Sequence, residues 1–385
     1  MLTPEQIENL PNAMVELYAA AEEEILKDMA RRINEYDFFI PAAEHQRQRL
    51  LAMGKTRQDI IKQLSKLTGR STEELKKLML DAGLEAIETD DELYKAAGLN
   101  PTPVLESQAL KKTLNAGLRT TAGTMQNLTA TTANTATKQF ERTLDMAWLK
   151  VQSGAFDHQS AVRSAVKELA SKGIESITYP SGHKDTIEVA VRRAVLTGVN
   201  KTCADAQLVR ADEMGCDLVE VSAHGGARPE HAEWQGKIYD RSGKSKKYPD
   251  FKSSTGYGTG AGLCGWNCRH NFRPYIDGSP RTYSDELLKD YNAKKYEYNG
   301  EQLTEYEATQ KQRAIERNIR RWKRERAAME EIGEDATQAA EKVKEWQKRQ
   351  RDFISQTGLR RQFAREQVAN KIDNGTINSL KSLQN

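Results

Sequence analysis

Cys216-Asp217-Leu218-Val219-Glu220-Val221-Ser222, running directly into Ala223-His224-Gly225-Gly226, decides how the chain is read. Its β-branched residues alternate with other side chains, the period of a strand, and no other stretch carries that signal as clearly. Upstream, Asp185-Thr186-Ile187-Glu188 reads as a capping box opening a helix. Ile187, Val191, Ala194, Val195 and Val199 form its apolar face, and the helix runs to Met214, where Gly215 can take the left-handed conformation that ends it. Cys203 and Cys216 fall within this apolar periodicity and read as core residues. Downstream to Gly278 the composition turns to glycine, aromatics, histidine and cysteine. Such a segment is too irregular for a helix bundle and predicts a compact module of short strands and loops.

Outside this region the chain reads as helix. Thr3-Pro4-Glu5-Gln6 offers an N-cap, a proline in the first turn and a glutamine three residues on. Met14, Leu17, Tyr18, Ile25, Met29 and Ile33 recur at helical spacing, and Ile60, Ile61, Leu64 and Leu67 stripe a second helix. That helix is expected to stop at Gly69, with Ser71-Thr72-Glu73-Glu74 capping the next. Asn100-Pro101-Thr102-Pro103 makes a stiff joint, since a proline disfavours helix in the residue before it. Residues 104–150 read as a long helix carrying a Thr/Ala-rich stretch, Thr120 to Thr137. Its β-branched threonines weaken helicity, and its small side chains permit close packing in compensation. Ala161 to Ala170 is helical, and Tyr179-Pro180-Ser181-Gly182 is a turn. Beyond Ser284-Asp285-Glu286, Ile315, Ile319, Trp322 and Met329 stripe one helix that ends at Gly333. Asp335 with Gln338 then starts another, carrying Val343, Trp346 and Phe353 on its apolar side. The narrow seam predicts a hairpin whose helices pack on one partner each. The fold class is therefore α+β: mostly helical arms and hairpins with one small, loop-rich module. The natural divisions are 1–100 (helical), 101–183 (a Thr/Ala-rich helical connection), 184–283 (the His/Cys module) and 284–385 (a basic helical hairpin).

Composition narrows the function. Of 385 residues, 29% are charged and 38% hydrophobic, the latter below the roughly 45–50% of ordinary globular chains. This suits a chain that completes its burial against partners. No run approaches the ~18–20 apolar residues of a membrane span, so no membrane partner is expected. Met1-Leu2-Thr3-Pro4-Glu5-Gln6 lacks the basic and apolar regions of a secretory signal. Four cysteines do not make a disulfide framework in so long a chain. The net charge of +3 hides an asymmetry: residues 1–100 carry 13 Lys+Arg against 19 Asp+Glu, and residues 310–385 carry 18 against 11. Arg317, Arg320, Arg321, Lys323, Arg324 and Arg326 concentrate the basic charge. They are candidates for sequence-independent phosphate contact or for an acidic partner. Trp322 in their midst reads as seam packing.

The chemically dense segment runs from His224 to Tyr275 and holds three of the six histidines and two of the four cysteines. His224, His231, Cys264, Cys268 and His270 could supply four ligands to a tetrahedral zinc ion, and the Cys264–Cys268 spacing suits one. The order, histidine first and then Cys-Cys-His, is not a common finger pattern. Packed thiols and hydrogen-bonded imidazoles account for the same residues, so both readings stand, and no cofactor is expected other than such a structural zinc. A Cys268–His231 thiolate–imidazole pair, or Asn267 and His270 in a metal-dependent nuclease arrangement, would make an enzyme, but spacing identifies no third, orienting group. Gly256, Gly258, Gly260 and Gly262 lack the Lys-Ser/Thr of a phosphate-binding loop.

The stretch Ser222 to Lys237, with Arg228, Pro229, His231, Gly236 and Lys237, and the stretch Leu263 to His270, with Asn267, Cys268 and Arg269, together resemble the phage minor capsid protein 2 family. That family is similar to the wider Mu F-type head-morphogenesis proteins. Tyr306 to Arg313 and Gln356 to Arg360 resemble its C-terminal helical region, so the likeness spans most of residues 1–370. The resemblance implies a non-enzymatic, low-copy structural protein of the phage head, made in the host cytoplasm and carried in the virion. Its implied partners are the portal protein or the major capsid protein and, non-specifically, packaged double-stranded DNA. With the chain ending at residue 385, a fused effector domain is not expected. Two alternatives from other classes are a zinc-dependent nuclease-like enzyme and a DNA-binding accessory protein of packaging. Arg228 is expected to fix the module through buried charge-assisted hydrogen bonds.

Overall fold

Thr3 opens the structure as the sequence predicts. Its hydroxyl accepts from the Gln6 amide while the Gln6 side chain accepts from the Thr3 N–H, closing a capping box. The computed structural model describes residues 1–368. Five helices come first: α1 (Pro4–Asn9), α2 (Asn12–Asn34), α3 (Ala42–Ala96), α4 (Gln108–Gln152) and α5 (His158–Lys172). A hairpin of β1 (Glu175–Thr178) and β2 (Lys184–Thr186) leads into α6 (Ile187–Glu213). Then follow β3 (Leu218–Val221), α7 (Pro229–Ala232), β4 (Ile238–Asp240), α8 (Phe251–Thr255) and β5 (Phe272–Pro274). The chain continues through α9 (Asp285–Tyr291), a hairpin of β6 (Tyr296–Tyr298) and β7 (Glu301–Leu303), α10 (Glu305–Glu331), α11 (Thr337–Thr357) and a 3-10 turn, Phe363–Glu366. The fold is mostly helical α+β. No described helix is long and apolar enough to cross a membrane.

The expected break at Gly69 does not occur. α3 runs 55 residues without interruption, about 80 Å at the α-helical rise. An interior glycine costs a helix only about 1 kcal/mol. Ile60, Leu64, Leu75, Met79 and Ala86 carry one buried stripe across the site and outweigh that penalty. Ser71 caps nothing; it is buried and hydrogen-bonds the Tyr18 hydroxyl. The Thr/Ala-rich stretch is helical throughout α4, and the reason is packing. A Cβ on Gly117 would sit 2.1 Å from Thr202 Oγ1 of α6, and one on Gly198 of α6 would sit 2.4 Å from Thr121 Oγ1 of α4. Each glycine receives the other helix's threonine, bringing the backbones close. Exposed threonines turn inward on their own helix, as when Thr124 donates to the Thr120 carbonyl.

One apolar core takes residues from α1 through α6 and reaches Ala328 and Met329 of α10. The prediction that each helix of the C-terminal hairpin has one partner therefore fails for α10, which packs on α2, α5 and α11. Its long arginine stems supply apolar cover that a count of hydrophobic residues misses. Residues 369–385 of the expected basic hairpin lie outside the described residues. Arg210, fully buried in α6, pairs with Asp91 of α3 at 2.9 Å and donates to the Thr102 carbonyl in the proline joint.

The module grows from the end of α6, where Gly215 takes φ +63 as predicted. β3 is the centre of a three-stranded antiparallel sheet, order β4-β3-β5, with Val219 opposite both Tyr239 and Pro274. Val219, Val221, Trp234, Tyr239, Phe251, Leu263 and Phe272 form its own apolar cluster. Asp185 is not the cap of α6. It lies in β2, where Tyr179, His183 and Arg193 hold its buried carboxylate.

Candidate metal centre and arginine cleft

The two sequence motifs meet because they leave the sheet at one end. β3 ends at Val221, paired with Phe272 at the start of β5, and the Ser222 amide donates to the Asn271 carbonyl at 2.8 Å. Beyond β3 the chain turns at Gly226 and enters α7 with Arg228 as its N-cap residue and Pro229 in its first turn, which places His231 inward. The glycine-rich segment crosses itself so tightly that a Cβ on Gly262 would lie 2.0 Å from the Gly256 carbonyl oxygen. Two left-handed residues, Cys264 (φ 57) and Asn267 (φ 52), then swing Cys268 and His270 beneath α7. Asn is among the residue types that tolerate this conformation; Cys264 is held there by its surroundings.

Of the five predicted ligands the fold brings three together. His231, Cys268 and His270 are all buried, and their ligand atoms lie within 4.8 Å of one another. Cys268 Sγ is 3.7 Å from His231 Nδ1 and 3.6 Å from His270 Nδ1. His224 stands beside them, its ring stacked 4.4 Å from that of His270. Cys264 is buried but turns its thiol to the His270 carbonyl, 3.5 Å away. Burial holds the His231 and His270 imidazoles below their ordinary range, with neighbouring positive charge adding to it, and burial pushes the Cys268 thiol up.

The other motif residues frame this cluster. Arg228 is half-buried, not sealed in the core, and its guanidinium donates to the Trp266 carbonyl, tying the first motif to the second. Lys237 donates to the Glu233 carbonyl at 2.6 Å, and the Gly236 amide returns to Val221. The Asn267 amide donates to Thr197 of α6, and Arg269 pairs with Glu8 of α1 at 2.6 Å. Sequence reasoning missed Gln235, whose side-chain oxygen accepts from the His224 amide and lies 2.9 Å from His270 Nε2. It also missed Asn200, which donates to the carbonyls of both Cys268 and His270. An asparagine on the buried face of α6 was the available signal. Glu8 has no local signal at all.

A cleft of about 890 Å³ opens over the cluster, walled by α1, α2, α6, the module and α10. Among the described residues, eight arginines and four glutamates line it. Arg269, Arg313 and Arg365 converge on Glu8. Burial alone would raise the Glu8 carboxyl, but these three guanidinium groups overcome it and hold it at about 2. Arg192 is pushed down to about 10, first by burial and then by Arg365. Its contacts are the Glu8 carbonyl and the Asn12 side-chain oxygen, neither of them charged. Of the six predicted basic contacts, Arg317 and Arg320 line the cleft, Arg317 exposed and Arg320 paired with Glu188. Arg324 points inward and donates to the Ala170 carbonyl, and Lys323 donates to Gln367. Arg326 pairs with Glu330, and the Arg321 guanidinium lies over the Trp322 ring.

A helical scaffold around a sheet-end His/Cys cluster under a basic cleft is the architecture in hand, and comparison with known proteins gives it a class. The profile of the family described as phage minor capsid protein 2 matches residues 2–355, and the chain belongs to that family. It is similar to a structural protein of Lactococcus phage LL-H, 25% identical over 338 residues, covering 82% of this chain and 86% of that protein. It is also similar to a structural protein of Lactococcus phage mv4, 34% identical over 127 residues, which cover 32% of this chain and 94% of that one. No solved structure matches it. The chain is thus a phage structural protein of the minor capsid class.

Proposed function

We propose that this capsid protein works inside the head at the portal vertex, where it holds packaged DNA against the protein shell during assembly. The cleft carries the DNA part of the reading. Its arginines outnumber its carboxylates, and Glu8 is already shared by three of them, so net positive charge is left for backbone phosphates. Contact of this kind is sequence-independent and weakens as salt releases the counterion advantage. The protein part is supported by a corner of the scaffold. Phe39, Leu50, Met146, Leu149 and Phe156 are exposed there, on segments held together by Trp148 donating to Ile40 and Gln152 to Phe38. Large apolar side chains left exposed on adjoining segments favour a protein interface, here with the portal or the major capsid protein.

Localisation in purified particles tests the reading. A map of the particle with this chain at the portal vertex, and cross-links from the 39–50 region to the portal, are the expected results. A chain spread over the whole capsid lattice would overturn it. For DNA, log affinity of the purified chain should fall linearly with log salt, and Arg317→Ala combined with Arg313→Ala should reduce the slope by about 2. Affinity indifferent to salt would remove DNA from the proposal. The role is read as structural rather than enzymatic: plasmid DNA should survive incubation with divalent metals. Metal-dependent nicking abolished by His231→Ala would replace this reading with the hydrolase alternative.

A further inference from the structure

We infer that His231, Cys268 and His270 form a zinc site that clasps the two motifs of the module together. The inference is independent of the portal and DNA reading and rests on hydrogen-bond geometry around three buried side chains. The Gln235 side-chain oxygen accepts from the His224 backbone N–H, so that atom is the oxygen and not the amide nitrogen. His270 Nε2, 2.9 Å from the same oxygen, must therefore carry a hydrogen and donate it. His231 Nε2 lies 2.9 Å from the Ala261 carbonyl, which can only accept, so it too carries a hydrogen. An imidazole with its hydrogen on Nε2 presents Nδ1 as an acceptor, and both rings are buried against the same Cys268 thiol. Both lone pairs point at one sulfur. A thiol has a single proton and satisfies one of them at most, leaving a buried acceptor without a donor.

A divalent cation resolves the conflict. Zinc–sulfur and zinc–nitrogen bonds of about 2.3 and 2.0–2.1 Å at tetrahedral angles place sulfur and nitrogen roughly 3.6 Å apart. The two separations here are 3.7 and 3.6 Å. Fixing each ligating imidazole by a hydrogen bond from its far nitrogen is the usual outer support of a metal site, and Ala261 and Gln235 provide it. One thiolate with two imidazoles suits zinc rather than magnesium or calcium. Binding replaces the Cys268 thiol proton, which leaves to solvent, so the cation takes up one thiolate and two neutral imidazoles with no change of oxidation state. Cys264 and His224 stay outside the set, the first turned to a carbonyl and the second stacked on the His270 ring. All three ligands border the cleft, on its buried floor.

The test uses the full chain purified without chelator. Elemental analysis should find about one zinc per chain, and Co²⁺ added after chelator treatment should give a thiolate-to-cobalt charge-transfer band. Cys268→Ser should lose the band, while Cys264→Ser keeps it. Gln235→Ala removes no ligand and should weaken metal affinity by roughly 10–100-fold, which keeps the test readable if the cysteine variant does not fold. A folded chain without zinc or cobalt band overturns the site. So does a Cys264→Ser variant that loses the band as fully as Cys268→Ser, or a Gln235→Ala variant of unchanged affinity.

Discussion

The long helices and the His/Cys module solve the same problem, burying a chain of modest hydrophobic content, by opposite means. In α4 and α6 the buried faces meet through shape, with glycines receiving threonines and alanines between them. In the module buried polar side chains are held by shared hydrogen bonds: Asn200 to two carbonyls, Gln235 to His224 and His270, and Glu220 to Arg273 and Thr282. Shape packing degrades gradually when a side chain changes, because neighbours relax. A buried polar network fails more abruptly, because deleting a member strands its partners. Conservative changes should therefore be absorbed by the helices and not by the module, while emptying a large buried side chain of the helical core costs more than removing one polar group.

The largest expected effect is on the helical side. Phe140→Ala empties the fully buried centre of α4 and should cost about 3–5 kcal/mol, read by denaturant unfolding; under 1 kcal/mol would mean that core is not tightly packed. Next comes the seam between the regions. The Glu8 carboxyl, held at about 2 against an ordinary 4.5, contributes stability that is fully present above pH 4.5. That contribution, on the order of 3 kcal/mol, is lost as pH falls from 4.5 through 2. Melting temperature followed over that range should drop more steeply for the native chain than for Glu8→Gln, and parallel curves would contradict the assignment. Within the module, Asn200→Ala leaves buried acceptors on Cys268, His270 and a stranded Asn271 amide, and should cost about 1–3 kcal/mol. Hydrogen exchange should rise first around residues 264–272, and a change spread evenly over the helices would blur the contrast drawn here. Smallest of all, exposed Thr124→Ala trades an inward hydroxyl bond for better helix propensity and should shift stability by less than about 0.5 kcal/mol.

What could be read in advance follows the range of the physics involved. Caps and terminators are local, so Thr3 to Gln6 and Gly215 stand where the sequence puts them, while Asp335 falls one residue short: Ala336 is the N-cap of α11 and Asp335 only accepts from the Thr337 amide. The Asn299-Gly300 turn of the β6–β7 hairpin was equally local, a pair suited to two left-handed residues, yet no hairpin was read there. Gly69 misled because a local stop signal competes with a buried stripe that only the neighbouring helices create. Asp185 misled for a similar reason: its carboxylate found Arg193, Tyr179 and His183 in place of a helix terminus.

By itself the sequence determined the helical class, the single strong strand at Leu218–Val221, the family, and the five His and Cys residues that are candidate ligands. Those follow from periodicity, capping and motif, all of which act over a few residues. Only the tertiary structure decided that three of the five converge, and that Cys264 and His224 stand aside. It also decided that the basic residues of α10 are largely spent on internal partners, while Glu8 from the first helix gathers the arginines of the cleft. Convergence depends on where β3 and β5 end relative to each other and on which helix ends face them. No run of neighbouring residues encodes such distances.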